Sequence, residues 1–178
     1  MAERRALHEE ALLAADGAIQ SLTDSDGSKP SRCEGWTIKD LVEHMTGQNI
    51  GFAEAIATGD APLGRYRPAS ASQWSASVAG LRGAIERPAS SVRLAEVAPG
   101  QSFELDRVLA IHALDLAVHT WDLGGGYRPG GELAGLVLLV ARATPPRGEV
   151  GGPFAPALPG DESDPWAEAL ALLGRHHG

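Results

Sequence analysis

The stretch IHALDLAVHTWDL, residues 111–123, carries the most informative pattern in the chain. At the 100° step of an α-helix its polar side chains fall on one narrow stripe, and both flanks of that stripe are apolar. The stripe consists of His112, Asp115, His119 and Asp122. The flanks are Leu105, Leu109, Leu116 and Leu123 on one side, and Ile111, Leu114, Val118 and Trp121 on the other. The pattern predicts a helix over residues 102–123 whose polar stripe lies at the bottom of a crevice.

The residue types in the stripe favour metal binding. Asp115 and His119 stand four residues apart, a spacing at which both side chains can reach a single ion. The alternative is a solvated face on which they form an ordinary helical pair worth a few tenths of a kcal/mol. Solvated faces are usually built from Lys, Glu, Arg and Gln, but this helix has no Lys, Arg or Glu from Val108 to its end. His112 is then a spare ligand or a partner that holds a ligand in place. Asp122 could orient a ligand, although bracing the helix end is the favoured interpretation.

A third ligand is expected from another helix, and His44 is the best candidate. It lies in a helix predicted over residues 37–58, whose start is marked by Thr37 and Asp40 in a capping-box pattern. By itself, His44 is favoured as a hydrogen-bonded histidine at the edge of the core. Only its pairing with the Asp and His of the polar stripe favours it as a ligand.

Two glycines follow His44 in the same predicted helix. Gly47 and Gly51 each cost roughly 1 kcal/mol of helix stability relative to Ala. We therefore expect another element to approach the helix closely at these positions.

The remaining sequence predicts further helices joined by loops. Apolar positions at helical spacing predict helices over residues 2–22, 37–58, 70–87, 102–123 and 130–143, with a short closing helix over residues 166–175. SVRLAEVAPG, residues 91–100, predicts a short extended or hairpin excursion, and Pro145-Pro146 predicts the end of the fifth helix. We expect a single domain over residues 1–178 with an all-α fold: a four-helix bundle with a short extended excursion and a C-terminal helix.

Composition argues against several classes of function. The formal net charge is −8 and no basic run occurs, so nucleic-acid binding is not expected. No apolar run approaches the ~20 residues that span a bilayer, and the N-terminus lacks the apolar core of a secretion signal, so we expect no membrane association and a cytoplasmic location. The single cysteine, Cys33, excludes an internal disulfide framework and is favoured as structural. His8, among charged residues of the first helix, is expected to be solvated. The sequence leaves open whether the chain forms a homodimer.

Three segments resemble one known family. CEGWTIKDLVEHMTGQN (33–49) resembles the N-terminal signature of the mycothiol-dependent maleylpyruvate isomerase-like proteins, which belong to the DinB/YfiT-like superfamily of metal-binding four-helix bundles. IHALDLAVHTWDL (111–123) resembles that family's acidic-x-x-x-His-x-Trp-Asp-Leu segment, which is the most specific of the three matches. GGPFAPALPGDESDPWAEALALLGR (151–175) resembles the closing segment of the single-domain subgroup.

The resemblance implies a bundle in which His44, Asp115 and His119 bind a divalent metal ion, usually zinc and sometimes nickel. Three protein ligands leave a coordination position open, which is the pattern of catalytic zinc sites. In the relatives this position takes the thiolate of a low-molecular-weight thiol such as mycothiol, which a metal keeps deprotonated at neutral pH. The implied function is a zinc-dependent thiol S-transferase or isomerase that uses mycothiol as co-substrate and acts on a small electrophile. The alternative is a non-catalytic metal-binding or interaction module that has kept the fold without the chemistry.

The chain departs from the two-domain isomerases in two respects. Those proteins carry a C-terminal domain with a catalytic arginine, which has no counterpart in these 178 residues. We therefore do not expect maleylpyruvate isomerase activity itself. The acidic ligand is Asp115 where the two-domain isomerases have Glu, and its shorter side chain is expected to alter the geometry of the site.

Overall fold

The computed structural model describes residues 2–144 and 154–176, and helices dominate this part of the chain. The α-helices are α1 (Ala2–Gln20), α2 (Ile38–Thr58), α3 (Trp74–Glu86), α4 (Leu105–Asp122), α5 (Gly131–Arg142) and α6 (Pro165–Leu172). Two short 3-10 turns, Leu63–Tyr66 and Ala71–Gln73, precede α3, and β1 (Val92–Arg93) pairs antiparallel with β2 (Ser102–Phe103). The predicted all-α fold is confirmed, with its extended excursion and its C-terminal helix.

Helix α4 connects the parts of the bundle. It packs along α1 and against α5 and α2, while α3 packs along α2 and α6 against α5. Both apolar flanks of α4 are needed for this packing, and Leu109, Leu116 and Val118 are completely buried. Within the described ranges, no helix is both long and apolar enough to cross a membrane.

Some helix ends differ from their predicted positions. Helix α4 begins at Leu105 rather than at residue 102, because Phe103 pairs with Val92 in the two-stranded sheet. The closing helix ends at Leu172 rather than at residue 175, because Gly174 adopts a left-handed φ of 76° that stops the helix. The predicted stop of the fifth helix at Pro145-Pro146 lies outside the described residues.

The start of α2 is fixed as its sequence predicts. The Thr37 hydroxyl accepts from the backbone N–H of Asp40, and the Asp40 carboxylate accepts from the backbone N–H of Thr37. This reciprocal capping satisfies two donors that the helix would otherwise leave unpaired. It anchors the helix two turns before His44.

Gly47 and Gly51 permit the close approach that their positions predict. A Cβ atom on Gly47 would overlap the backbone carbonyl of Arg67, and one on Gly51 would overlap the ring of Tyr66. The 3-10 turn Leu63–Tyr66 therefore packs directly on the backbone of α2. This contact fixes the position of α2, the helix that carries His44.

Candidate metal centre

Helices α2 and α4 bring together the three side chains predicted to bind a metal. His44 Nε2 lies 3.9 Å from Asp115 Oδ1, and His119 Nε2 lies 3.4 Å from the same oxygen. The two imidazole rings meet edge to face, with centroids 5.0 Å apart. Their potential ligand atoms lie within 4.8 Å of one another. One turn of α4 and the facing position of α2 thus direct three donor atoms at one point.

The separations suit a single small cation. In a tetrahedral zinc site with bonds of about 2.1 Å, two ligand atoms stand about 3.4 Å apart, close to the distances around Asp115 Oδ1. The other carboxylate oxygen, Asp115 Oδ2, is buried and has no hydrogen-bond partner within the described part of the chain. An unsatisfied buried acceptor is costly, and a cation beside it would remove that cost. The side chains of His44 and Asp115 are 19% and 18% exposed, so the site is open to solvent on one side.

The charges of the site agree with a cation-binding role. Burial alone would raise the pKa of Asp115, but the neighbouring His119 and His44 hold that pKa well below its usual value. Burial also opposes a charge on His119, yet Asp115, Asp122 and Cys33 together raise the pKa of this imidazole well above its usual 6.5. Asp115 is therefore an anion at neutral pH, as a metal-binding carboxylate must be.

The second nitrogen of His119 faces another polar cluster. His119 Nδ1 donates a hydrogen bond to Asp122 Oδ2 over 2.9 Å, and the Asp122 side chain is completely buried. Asp122 also accepts from the guanidinium of Arg175 and, over 3.1 Å, from the thiol of Cys33. Asp122 thus contacts a candidate ligand directly, the role that the sequence pattern favoured less. No motif pointed to Arg175, which arrives from the far end of the chain.

His112 does not join the group, although it shares the stripe of α4. Its Nδ1 lies 2.9 Å from His8 Nε2, and its ring stacks on Phe52 with centroids 4.3 Å apart. Burial lowers the pKa of His112 to about 4. Burial also holds the pKa of His8 well below 6.5, and the neighbouring His112 and Arg82 lower it further. His8 is 1% exposed, so the expectation that it is solvated is wrong. The adjacent Glu9 and Glu10, one and two positions further along α1, do not share the face of His8.

Three further side chains surround the three candidate ligands. Trp36 meets His44 edge to face at 5.2 Å and remains 38% exposed. Gln48, one turn after His44, donates a hydrogen bond of 2.9 Å to the carboxylate of Glu96. Burial raises the pKa of Glu96; Gln48 opposes this shift, and the charge of Asp115 adds to it. The surroundings of the three candidate ligands therefore combine an aromatic ring with a carboxylate, and no sequence pattern indicated Glu96.

Comparisons with known proteins agree with this architecture. Residues 8–124 match the sequence profile described as the mycothiol maleylpyruvate isomerase N-terminal domain. Two uncharacterised proteins of Mycobacterium tuberculosis, from strains CDC 1551 / Oshkosh and ATCC 25618 / H37Rv, are each 33% identical to the chain, with 82% of this chain and 83% of the relative covered. The crystal structures of the mycothiol-dependent maleylpyruvate isomerase and of a histidine-to-alanine mutant of it share the fold, with a TM-score of 0.64. Their identity to the chain is 17%, over 78% of this chain and 68% of theirs.

Proposed function

The chain belongs to the family of the mycothiol maleylpyruvate isomerase N-terminal domain, and from this premise we propose that it is a metal-dependent thiol S-transferase or isomerase acting on a small electrophile. His44, Asp115 and His119 would hold the metal, with zinc as the first choice and nickel as the second. Mycothiol is the proposed co-substrate. A reducing cytoplasm, where such a thiol stays reduced, is the proposed location.

One observation carries this proposal: three donor atoms converge, while buried Asp115 Oδ2 has no hydrogen-bond partner among the residues that the structure describes. Two imidazoles and one carboxylate form a donor set that suits zinc and nickel better than calcium or magnesium, which prefer oxygen ligands. A donor set complete in itself would have given each carboxylate oxygen a hydrogen bond. The unpaired oxygen therefore supports a binding site over an internal ion pair.

The residues around the three ligands suit a reaction at a thiol. When bound, the metal would supply Lewis acidity and keep a thiol sulfur deprotonated at neutral pH. Trp36 covers the edge of His44 and limits the access of water from that side. Glu96, held by Gln48 and carrying a raised pKa, can exchange a proton with a substrate that enters from the open side.

The metal is tested first, by elemental analysis of the purified protein. We expect near-stoichiometric zinc or nickel in the wild type and its loss in Asp115→Ala and His44→Ala. The matched control is His176→Ala, which removes an exposed histidine away from the three ligands. A wild type without metal after growth and dialysis in zinc-containing buffer would contradict the proposal.

The chemistry is tested separately, with the metal-loaded protein, mycothiol and a panel of small electrophiles. We expect consumption of the free thiol by the wild type but not by His44→Ala. A protein that holds its metal but turns over no thiol, and whose melting temperature mycothiol does not raise, is instead the non-catalytic metal-binding module. That result would refute the enzyme while leaving the metal site intact.

A further inference from the structure

Arg175 reaches the back of the candidate metal centre from the C-terminal segment. Its Nε donates to Asp122 Oδ1 over 3.0 Å, and its Nη2 donates to Asp122 Oδ2 over 2.6 Å. Nη1 donates to the carbonyl of Leu173 over 2.9 Å. The side chain is 11% exposed, so the guanidinium is a nearly buried charge whose groups are all engaged. Such a charge is stable in a protein interior only when it is paired in this way.

The local sequence explains why Arg175 points inward. After α6 the chain turns at Gly174, whose φ of 76° suits glycine. The backbone N–H of Arg175 bonds back to the carbonyl of Leu170, and that of Gly174 to the carbonyl of Ala171. These two bonds form the Schellman arrangement that ends helices at a glycine. The turn leaves the next side chain, Arg175, directed at Asp122.

Asp122 connects Arg175 to His119 through hydrogen bonds to both side chains. A metal binds the neutral imidazole, and in that form the hydrogen bond to Asp122 holds the remaining proton of His119 on Nδ1. Nε2 then keeps its lone pair, on the side where Asp115 and His44 lie. Hydrogen bonds from a ligating histidine to a carboxylate fix its tautomer and ring orientation in this way.

A second metal ion is the competing explanation for this cluster. Cys33, His119 and Asp122 also offer ligand atoms within 4.8 Å of one another. The guanidinium of Arg175, however, lies 2.6 Å from Asp122 Oδ2 and 3.6 Å from Cys33 Sγ. A fixed positive charge at these distances repels a cation from the same donors. The cluster therefore supports the imidazole and is not itself a metal site.

We propose that Arg175 and Asp122 are positioning residues that hold His119 in its metal-binding orientation, so that docking of the C-terminal segment sets the metal affinity of the site. This inference rests on the proposed metal-binding function. The loss of partners that orient metal ligands typically weakens metal binding by about 10- to 100-fold. We expect a loss in this range for Arg175→Ala and for Asp122→Asn.

The experiment measures the zinc dissociation constant by competition with a chromophoric chelator, together with urea unfolding of the metal-free proteins. Arg142→Ala is the matched control, because Arg142 joins α5 to α6 through Glu168 in an exposed ion pair. We expect Arg142→Ala to change zinc affinity less than twofold. Arg175→Lys keeps the charge but not the paired N–H geometry, so we expect it to recover part of the affinity lost in Arg175→Ala.

The outcomes separate this inference from the proposed function. If the wild type binds zinc and folded Arg175→Ala and Asp122→Asn bind it equally well, the positioning role is refuted. An equal loss in Arg142→Ala would refute it too, since loosening of α6 alone would then explain the effect. Should Arg175→Ala fail to fold, Arg175→Lys and Asp122→Asn decide. A wild type that binds no zinc, nickel or other divalent ion instead overturns the metal site itself.

Discussion

The buried pair His8 and His112 makes the fold sensitive to mild acid, and His112→Gln tests the cause. The two rings share one hydrogen bond of 2.9 Å between His8 Nε2 and His112 Nδ1. A neutral pair needs only one proton between these two atoms. A further proton would place a charge in a site where both side chains are almost completely buried. We therefore expect the unfolded chain to bind more protons than the folded chain at mildly acidic pH.

The magnitude follows from the pKa of His112, which burial lowers from 6.5 to about 4. A group whose folded pKa is depressed in this way stabilises the fold fully above pH 6.5 and progressively less as the pH falls toward 4. Linkage gives a loss of about 2 kcal/mol between pH 7 and pH 5 and about 3 kcal/mol by pH 4 from His112 alone. His8, whose pKa is lowered too, adds to this loss. A domain with a typical stability of about 5–15 kcal/mol would lose a large share of it.

The two aspartates of the α4 stripe and His119 act outside this pH window. Asp115 and Asp122 have pKa values held below the usual 3.8, so their stabilising contributions are lost only at lower pH. The pKa of His119 is raised, so its contribution is complete below pH 6.5 and is lost as the pH rises above that value. Glu96 has a pKa raised above 4.5 and also titrates in this interval, so the difference between the wild type and a His112 variant is what isolates the histidine pair.

The assay is urea unfolding followed by circular dichroism, with chelator present, at several pH values from 7.5 to 4.5. We expect a steep fall in the free energy of unfolding for the wild type and a shallower one for His112→Gln, whatever the absolute stability of that variant. His176→Gln, which removes an exposed imidazole, is the control and should follow the wild type. If wild type and His112→Gln lose stability equally over this interval, the reasoning from burial is wrong.

Three further outcomes are expected. Thr37→Ala removes the hydroxyl that caps α2 at Asp40 and should lower the free energy of unfolding by about 1 kcal/mol in urea titrations; no change would mean that the cap is not formed in solution. Gly47→Ala places a methyl group against the carbonyl of Arg67 and should destabilise the fold by about 1–3 kcal/mol or more. The control is Gly80→Ala, which has open space around it and should be neutral or stabilising by up to about 1 kcal/mol. Removal of a bound metal should lower the melting temperature. The lost stabilisation is about 2.7 kcal/mol if free zinc was present at 100 times its dissociation constant. Melting curves that do not respond to chelation would contradict a bound metal.

Local patterns predicted the parts of the site that depend on one helix or one turn. The capping box of α2 and the close approach at Gly47 and Gly51 follow from residue types at fixed spacing, and the structure contains both. The convergence of His44 on the stripe of α4 was different. Spacing placed His44 at a core edge and no more, and the resemblance to a known family was what joined it to Asp115 and His119. That the three bind a metal remains a prediction.

The contacts that no pattern predicted join segments far apart in the sequence. His8 and His112 are separated by 104 positions, and Arg175 and Asp122 by 53. The expectation that His8 is solvated is wrong because charged neighbours in sequence do not indicate which face of α1 packs against α4. For Arg175 a signal did exist: a glycine at the end of a short apolar helix predicts a reversal after it. What that reversal brings the arginine against depends on the tertiary packing of α6.

The two carboxylates of the α4 stripe differ in their partners, and this difference explains why one of them is suited to an ion. Asp122 is completely buried but has a permanent counter-charge, since the guanidinium of Arg175 bonds both of its oxygens. Asp115 stands seven residues earlier beside the imidazoles of His44 and His119, and among the described residues one of its oxygens has no hydrogen-bond partner. An imidazole can balance a carboxylate only by taking up a proton, as the raised pKa of His119 beside Asp115 indicates. A divalent cation between Asp115, His44 and His119 would neutralise the carboxylate and leave both rings uncharged. Arg175 thus satisfies one carboxylate of the stripe, and the other is the one that we propose to bind a metal.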